Sequence, residues 1–171
     1  ILKFKPSKIT VVDINENGLT ELTRDLRSSN LLDYNPEYIT YPVNLLSQTF
    51  DKIFNSESWQ VVANFSAHKH VRSEKDKISV EALIKNNVYG AIKLLKLCES
   101  NPPKYFFSVS TDKAANPVNI MGASKSLMEK LILSKKEKIR VSTARFANVA
   151  FSNGSLLEGF IYRLNKKQPL S

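Results

Sequence analysis

Ser110, Thr111, Asp112 and Lys113 place two hydroxyls, a carboxylate and an amine on consecutive residues, with Lys125 following in the next helical run. An acid and an amine that are chain neighbours can tune each other's pKa, and together they offer the acid and the base that a proton-transfer reaction uses. The apolar run Tyr105-Phe106-Phe107-Ser108-Val109 before them reads as a strand. Open α/β sheets hold their ligands at the carboxyl ends of strands, so the cluster is placed where chemistry is expected. Met121 and Lys125 stand at i, i+4 and share one helical face beneath it. A surface ion pair in a turn is the plain alternative for Asp112 and Lys113, and a solvated helix lysine for Lys125.

The elements that must position these groups alternate short β-branched or aromatic runs with longer helical ones. That pattern predicts an α/β fold with a doubly wound, mostly parallel sheet. Strands are expected at 8–14, 38–43, 60–65, 104–110 and 139–144. Helices are expected at about 18–27, 46–54, 79–100, 121–134 and 156–165. The longest of these carries apolar residues at Val80, Leu83, Ile84, Val88, Ala91, Leu94 and Leu95, a helical period. Asn101-Pro102-Pro103 breaks the chain after it. Of the five glycines none forms Gly-x-Gly-x-x-Gly, the turn that presents a helix N-terminus to a pyrophosphate. Asp13 nevertheless ends a strand, where an acidic residue about 20 positions beyond such a turn binds an adenosine ribose. A helix cap or turn is the competing role for Asp13. The chain is therefore expected to be a fragment, its sheet incomplete at the N-terminus, with residues 1–4 as the tail of a crossover helix.

Bulk properties exclude little else. With 171 residues, 42% of them hydrophobic, the chain can bury a real core. The net charge of +9 comes from scattered lysines and a cluster at 135–138 closing a helix, so nucleic acid is not an expected partner. No apolar run is long enough to span a bilayer. The single cysteine, Cys98, lies in an apolar helical run and reads as a core residue, which fits a cytoplasmic, reducing compartment. His68 and His70 lie at a strand end without an obvious third ligand, so no metal is expected.

Four blocks together resemble the nucleotide-sugar 4,6-dehydratase branch of the extended short-chain dehydrogenase/reductases, found in polysaccharide and flagellin-glycan synthesis. They are residues 11–16, 65–71, 110–125 and 145–149 with 152–155, in family order along most of the chain. The resemblance implies a Rossmann-type dinucleotide-binding domain over 1–150 and the start of a substrate-binding region over 151–171. It implies NAD or NADP as cofactor, with NAD slightly favoured because Asp13 would repel a 2′-phosphate. Asn44, Leu45, Phe65, Ser66 and Ala67 would border the cofactor. Asn87 would help shape the site, and Lys125 would bond the nicotinamide ribose. Lys69, Asn148, Ser152 and Ser155 would meet a UDP-sugar substrate, with turn and cap roles the alternative for the last three. A homo-oligomer is implied, as is membrane association only where the full protein has an N-terminal membrane region.

The implied reaction converts UDP-N-acetylglucosamine to a 4-keto-6-deoxy sugar, with Asp112 protonating the departing C6 hydroxyl and Lys113 taking the C5 proton. Most of the superfamily has tyrosine where this chain has Met121, and a thioether has no proton to exchange. Either Met121 marks one dehydratase branch, leaving the C4 proton to Thr111, Asp112, Lys113 or a water, or the site binds without catalysing. A nucleotide-sugar 4-epimerase and a non-catalytic Rossmann-like module are the rival functions.

Overall fold

The protein is described by a computed structural model covering residues 1–68, 74–152 and 155–170. Its elements run β1 (Lys8–Asp13), α1 (Glu16–Ser28), β2 (Glu37–Pro42), α2 (Gln48–Asn55) and β3 (Val61–Asn64). Next come α3 (Lys77–Ile84), a π-helical turn (Lys85–Tyr89) and α4 (Gly90–Ser100). The remainder is β4 (Tyr105–Thr111), a 3-10 turn (Asp112–Ala114), α5 (Ile120–Leu133), β5 (Val141–Phe146) and α6 (Leu156–Asn165).

Five of the helices begin at a side-chain cap. Asn15, Ser47, Asp76, Asn119 and Ser155 each accept a hydrogen bond from a first-turn backbone N–H. Such caps satisfy donors that the helix itself leaves orphaned, typically at about 1 kcal/mol each. The caps also move two boundaries: Ser47 starts α2 later than the apolar pattern alone indicates, and Asp76 starts α3 earlier.

Every strand pairing among the described residues is parallel, in two ladders: β1 with β2, and β3–β4–β5 in that order. β4 alternates cleanly. Phe106, Ser108 and Ser110 are buried, while the residues between them are less so. The two small serines leave room for α5, whose Met128 Sδ lies 3.8 Å from Ser108 Oγ. The core joins Phe50 and Phe54 of α2, Leu94, Leu95 and Cys98 of α4, Phe106, and Met128 and Ile132 of α5. Burying a side chain of this size stabilises by about 2 kcal/mol, so α4 and α5 are held firmly against the sheet.

The long helix expected over 79–100 is interrupted at Lys85–Tyr89 by a π turn. The last strand starts at Val141, not Ile139. Ile139 is buried, and its N–H still donates to Lys135 O at 3.0 Å, so it belongs to the chain leaving α5. Residues 2–4 form a 3-10 turn and not the end of an α-helix. No helix among the described residues is long and apolar enough to cross a membrane.

Candidate active site

Parallel pairing brings the carboxyl ends of β3, β4 and β5 to one edge of their ladder, and β4 delivers the reactive cluster there. Thr111 Oγ1 donates to Asp112 Oδ1 at 2.9 Å, and Lys113 Nζ donates to the same oxygen at 3.2 Å. The Lys113 N–H adds a bond of 2.9 Å. The Thr111 and Lys113 bonds hold the Asp112 carboxyl below the usual carboxylate range. Asp112 therefore rests as an ion beside Lys113. Both side chains remain substantially exposed and can reach a ligand.

The 3-10 turn sits directly on the first turn of α5. A Cβ added at Gly122 would stand 2.7 Å from Lys113 O, closer than real Cβ atoms approach, so only glycine permits this contact. Asn119 caps the helix through Gly122 N–H at 2.8 Å, and Glu74 accepts from Met121 N–H at 2.7 Å. A carboxylate at a helix N-terminus is favourably placed. Met121 and Lys125 are both buried on the face beneath the turn.

Lys125 is only 5% exposed, which rules out the solvated-lysine reading. Its Nζ donates to Val109 O at 3.2 Å and lies 3.7 Å from Met128 Sδ. Burial pushes its pKa down to about 8, opposed only by the charge of Glu129 one turn on. Glu129 is itself buried and takes three N–H contacts from Arg145 of β5, at 3.0, 3.3 and 2.7 Å. These bonds, more than any other influence, hold its carboxyl below the ordinary glutamate value.

Asn87, 1% exposed in the π turn, is a clamp. Its Oδ1 accepts from His68 N–H at 2.9 Å, while its Nδ2 donates to His68 O at 3.1 Å and Ser124 Oγ at 3.0 Å. Ser124 Oγ donates in turn to Met121 O at 2.7 Å. The loop after β3 is thus tied to α5. Every polar atom of its amide is engaged by protein, so Asn87 offers no free donor or acceptor to a ligand in this geometry. π turns recur at functional sites, and this one bears the clamp.

The remaining expected residues sit at other strand ends. Asp13 is exposed, with Oδ1 accepting from Asn15 N–H at 2.8 Å, while Asn15 and not Asp13 caps α1. Asn44 Oδ1 accepts from Leu46 N–H at 2.8 Å. Leu45 packs close to Gly90, where an added Cβ would meet its Cδ2 at 3.1 Å. An open groove of about 550 Å³ adjoins them, lined by Leu46, Glu81, Ile84, Lys85 and Tyr89. Phe65 is exposed with its ring 6.0 Å from that of Phe107, and Ser66 Oγ donates to Asn64 Oδ1 at 2.7 Å, with Ala67 following. Asn148 is exposed, Ser152 Oγ donates to Val149 O at 2.9 Å, and Ser155 caps α6, the role set out as its alternative. Lys69 and His70 lie outside the described residues.

Glu74, Ser124, Glu129 and Arg145 join the site without having been assigned a role from sequence. The Lys125-x-x-x-Glu129 spacing was the one available signal, since i, i+4 pairs share a face. Arg145 and Ser124 gave none, because only the packing of α5 on β5 and on the π turn brings them in.

A family model described as "Polysaccharide biosynthesis protein" matches residues 1–171. The chain belongs to that family. Among its relatives is the UDP-N-acetylglucosamine 4,6-dehydratase (inverting) of Campylobacter jejuni. It is 38% identical over 162 residues, which are 92% of this chain and 46% of the relative. An uncharacterised membrane protein of Methanocaldococcus jannaschii is 33% identical over all of this chain and 50% of its own length. The family member described here thus spans about half the length of these curated relatives. Among solved structures, Pen from Bacillus thuringiensis superposes with a TM-score of 0.79 at 23% identity, covering 96% of this chain and 51% of that one. UDP-glucuronic acid 4-epimerase from Bacillus cereus superposes with a TM-score of 0.72 at 17% identity, covering 95% and 56%. These likenesses show the Rossmann-type α/β fold.

Proposed function

We propose that the protein is a nucleotide-sugar 4,6-dehydratase that draws water from the C5–C6 bond of a UDP-hexose, with UDP-N-acetylglucosamine as substrate. The observation that carries this reading is the Asp112–Lys113 pair, held by a 3-10 turn on the helix that buries Lys125. Elimination needs a base at C5 and an acid at the C6 hydroxyl together. The resting pair is carboxylate and ammonium. Moving one proton across their 3.2 Å contact turns it into a neutral amine and a neutral acid. A sugar that expels water from the cleft favours that transfer, because low dielectric penalises the charged forms. The amine then accepts the C5 proton and the acid gives its proton to the departing hydroxyl. Lys113 ends as ammonium and Asp112 as carboxylate, restoring the resting state.

The residues fit a nicotinamide dinucleotide at two places. Asp13 offers an exposed carboxylate at the end of β1, and Lys125 Nζ has donor capacity beyond Val109 O. When bound, the cofactor supplies the acceptor for hydride from C4 and its donor to C6. Lys125 orients the ribose and places positive charge beside the C4 oxygen, while Met121 packs the face below without exchanging protons. Thr111, whose hydroxyl donates to Asp112, would serve as a side-chain relay for the C4 proton, with Asp112, Lys113 or a water as the other carriers. Residues 1–150 form the dinucleotide-binding part on this reading, and 151–171 open the substrate-binding part.

The test is incubation of the full-length protein with UDP-N-acetylglucosamine and NAD, followed by mass spectrometry of the sugar nucleotide. Loss of one water is expected. An isobaric product makes the protein a 4-epimerase, and binding without turnover of any UDP-hexose makes it a non-catalytic module.

A further inference from the structure

Lys125 and Glu129 stand one helical turn apart on α5, and both are 5% exposed. Arg145 comes from β5, where it lies in register with Ser110 of β4. Its guanidinium grips both carboxylate oxygens of Glu129, through Nε at 3.0 and 3.3 Å and a terminal nitrogen at 2.7 Å. The Arg145 side chain is 47% exposed, whereas that of Glu129 is 6% exposed. Lys125 Nζ is fixed to Val109 O, the carbonyl preceding Ser110. The buried Ser110 hydroxyl has no partner in bonding geometry, though it lies close enough to help hold the Glu129 carboxyl down.

We propose that Glu129 is a positioning residue that sets the charge of Lys125, and that Arg145 is the counterweight limiting how far it does so. The dehydratase reading of Lys125 underlies this proposal. A buried ammonium with one carbonyl and one thioether as partners depends on the nearest unscreened charge. Other charged groups on the elements packed against α5 are paired elsewhere or, like Lys77 of α3 and Lys96 of α4, exposed to solvent. Asp112 and Lys113 pair with each other on the 3-10 turn. Glu74 is bound to the Met121 N–H at the helix start. On α3 and the π turn Glu81 pairs with Lys85, and on α4 Lys93 pairs with Asp51 and Glu99 with Lys135. Tyr89 is exposed at the rim of the groove. Among the described residues, Glu129 is the charge left to act on Lys125. Arg145 shares it from the strand whose continuation carries Asn148 and Ser152, so an event in that loop has a direct line to the lysine.

The experiment follows the Lys125 titration in the full-length holoenzyme by NMR of lysines carbon-labelled at Cε, with the signal assigned by Lys125→Met. Glu129→Gln is expected to lower the midpoint by about one pH unit, since an opposite charge at this range favours the ammonium. Glu129→Asp, keeping the charge, should restore part of it. Arg145→Met should move it the other way, because Glu129 is then unshared, and Arg145→Lys should stay near wild type. The pH profile of turnover should shift in the same sense. An unmoved midpoint in Glu129→Gln, or both neutralising variants shifting it alike, overturns the proposal. Failure of the dehydratase reading would show separately, as a wild-type enzyme without turnover whose Lys125 still titrates in these directions.

Discussion

Replacing Lys125 with methionine in the full-length protein should abolish turnover and yet stabilise the fold at neutral pH. Burial lowers the lysine from its ordinary 10.5 to about 8. Each pH unit of such a difference is worth about 1.4 kcal/mol, so keeping the ammonium buried costs about 3 kcal/mol at pH 7. Methionine fills similar volume without charge, but gives up the bond to Val109 O, worth about 1 kcal/mol. The net gain expected at pH 7 is about 2 kcal/mol. Its pH dependence is the sharper signature. Below pH 8 the lysine is charged both folded and unfolded, and wild type bears the whole penalty. Between 8 and 10.5 the unfolded chain binds the extra proton, so wild-type stability rises with pH relative to the variant. Above 10.5 the penalty is gone and the variant, lacking the hydrogen bond, should be slightly the weaker. Urea denaturation of both proteins at pH 7, 8, 9 and 10.5 reads this directly. A stability difference constant across that range, or a variant weaker throughout, would refute the argument.

Other outcomes follow from single contacts. Lys113→Ala should abolish turnover while UDP-sugar binding, measured by calorimetry, survives, and the Asp112 carboxyl should titrate higher without its neighbour's charge. Gly122→Ala forces the 3-10 turn off α5 through the Lys113 carbonyl. Overpacking of this kind costs about 1–3 kcal/mol, more than the roughly 1 kcal/mol that alanine gains in helix propensity, so the variant should melt lower and turn over more slowly. Asn87→Ala strands the part-buried His68 backbone groups and should destabilise by roughly 1–2 kcal/mol in urea, with faster amide exchange at His68.

The alternation of strand and helix, the cluster at 110–113 and the shared face of Met121 and Lys125 were all legible in the sequence. Each rests on local physics: side-chain period, turn chemistry and i, i+4 spacing. Local reasoning also predicted α6 over 156–165, where the helix is found. It failed at the π turn, because the amide of Asn87 bonds the backbone of His68, far away in sequence. It misplaced β5 because Ile139, apolar and β-branched, is taken up by the core as the chain leaves α5.

What the sequence by itself determined is therefore the list of groups able to exchange protons and the elements that bear them. Tertiary structure decided their states. A lysine on a helix is solvated or buried according to what packs over it, and Lys125 is buried because Ser108 and Ser110 are small enough to admit α5. That burial moves its pKa, and Arg145 from a neighbouring strand completes the balance through Glu129. Charge in a protein interior is set by neighbours in space, and only the fold chooses them.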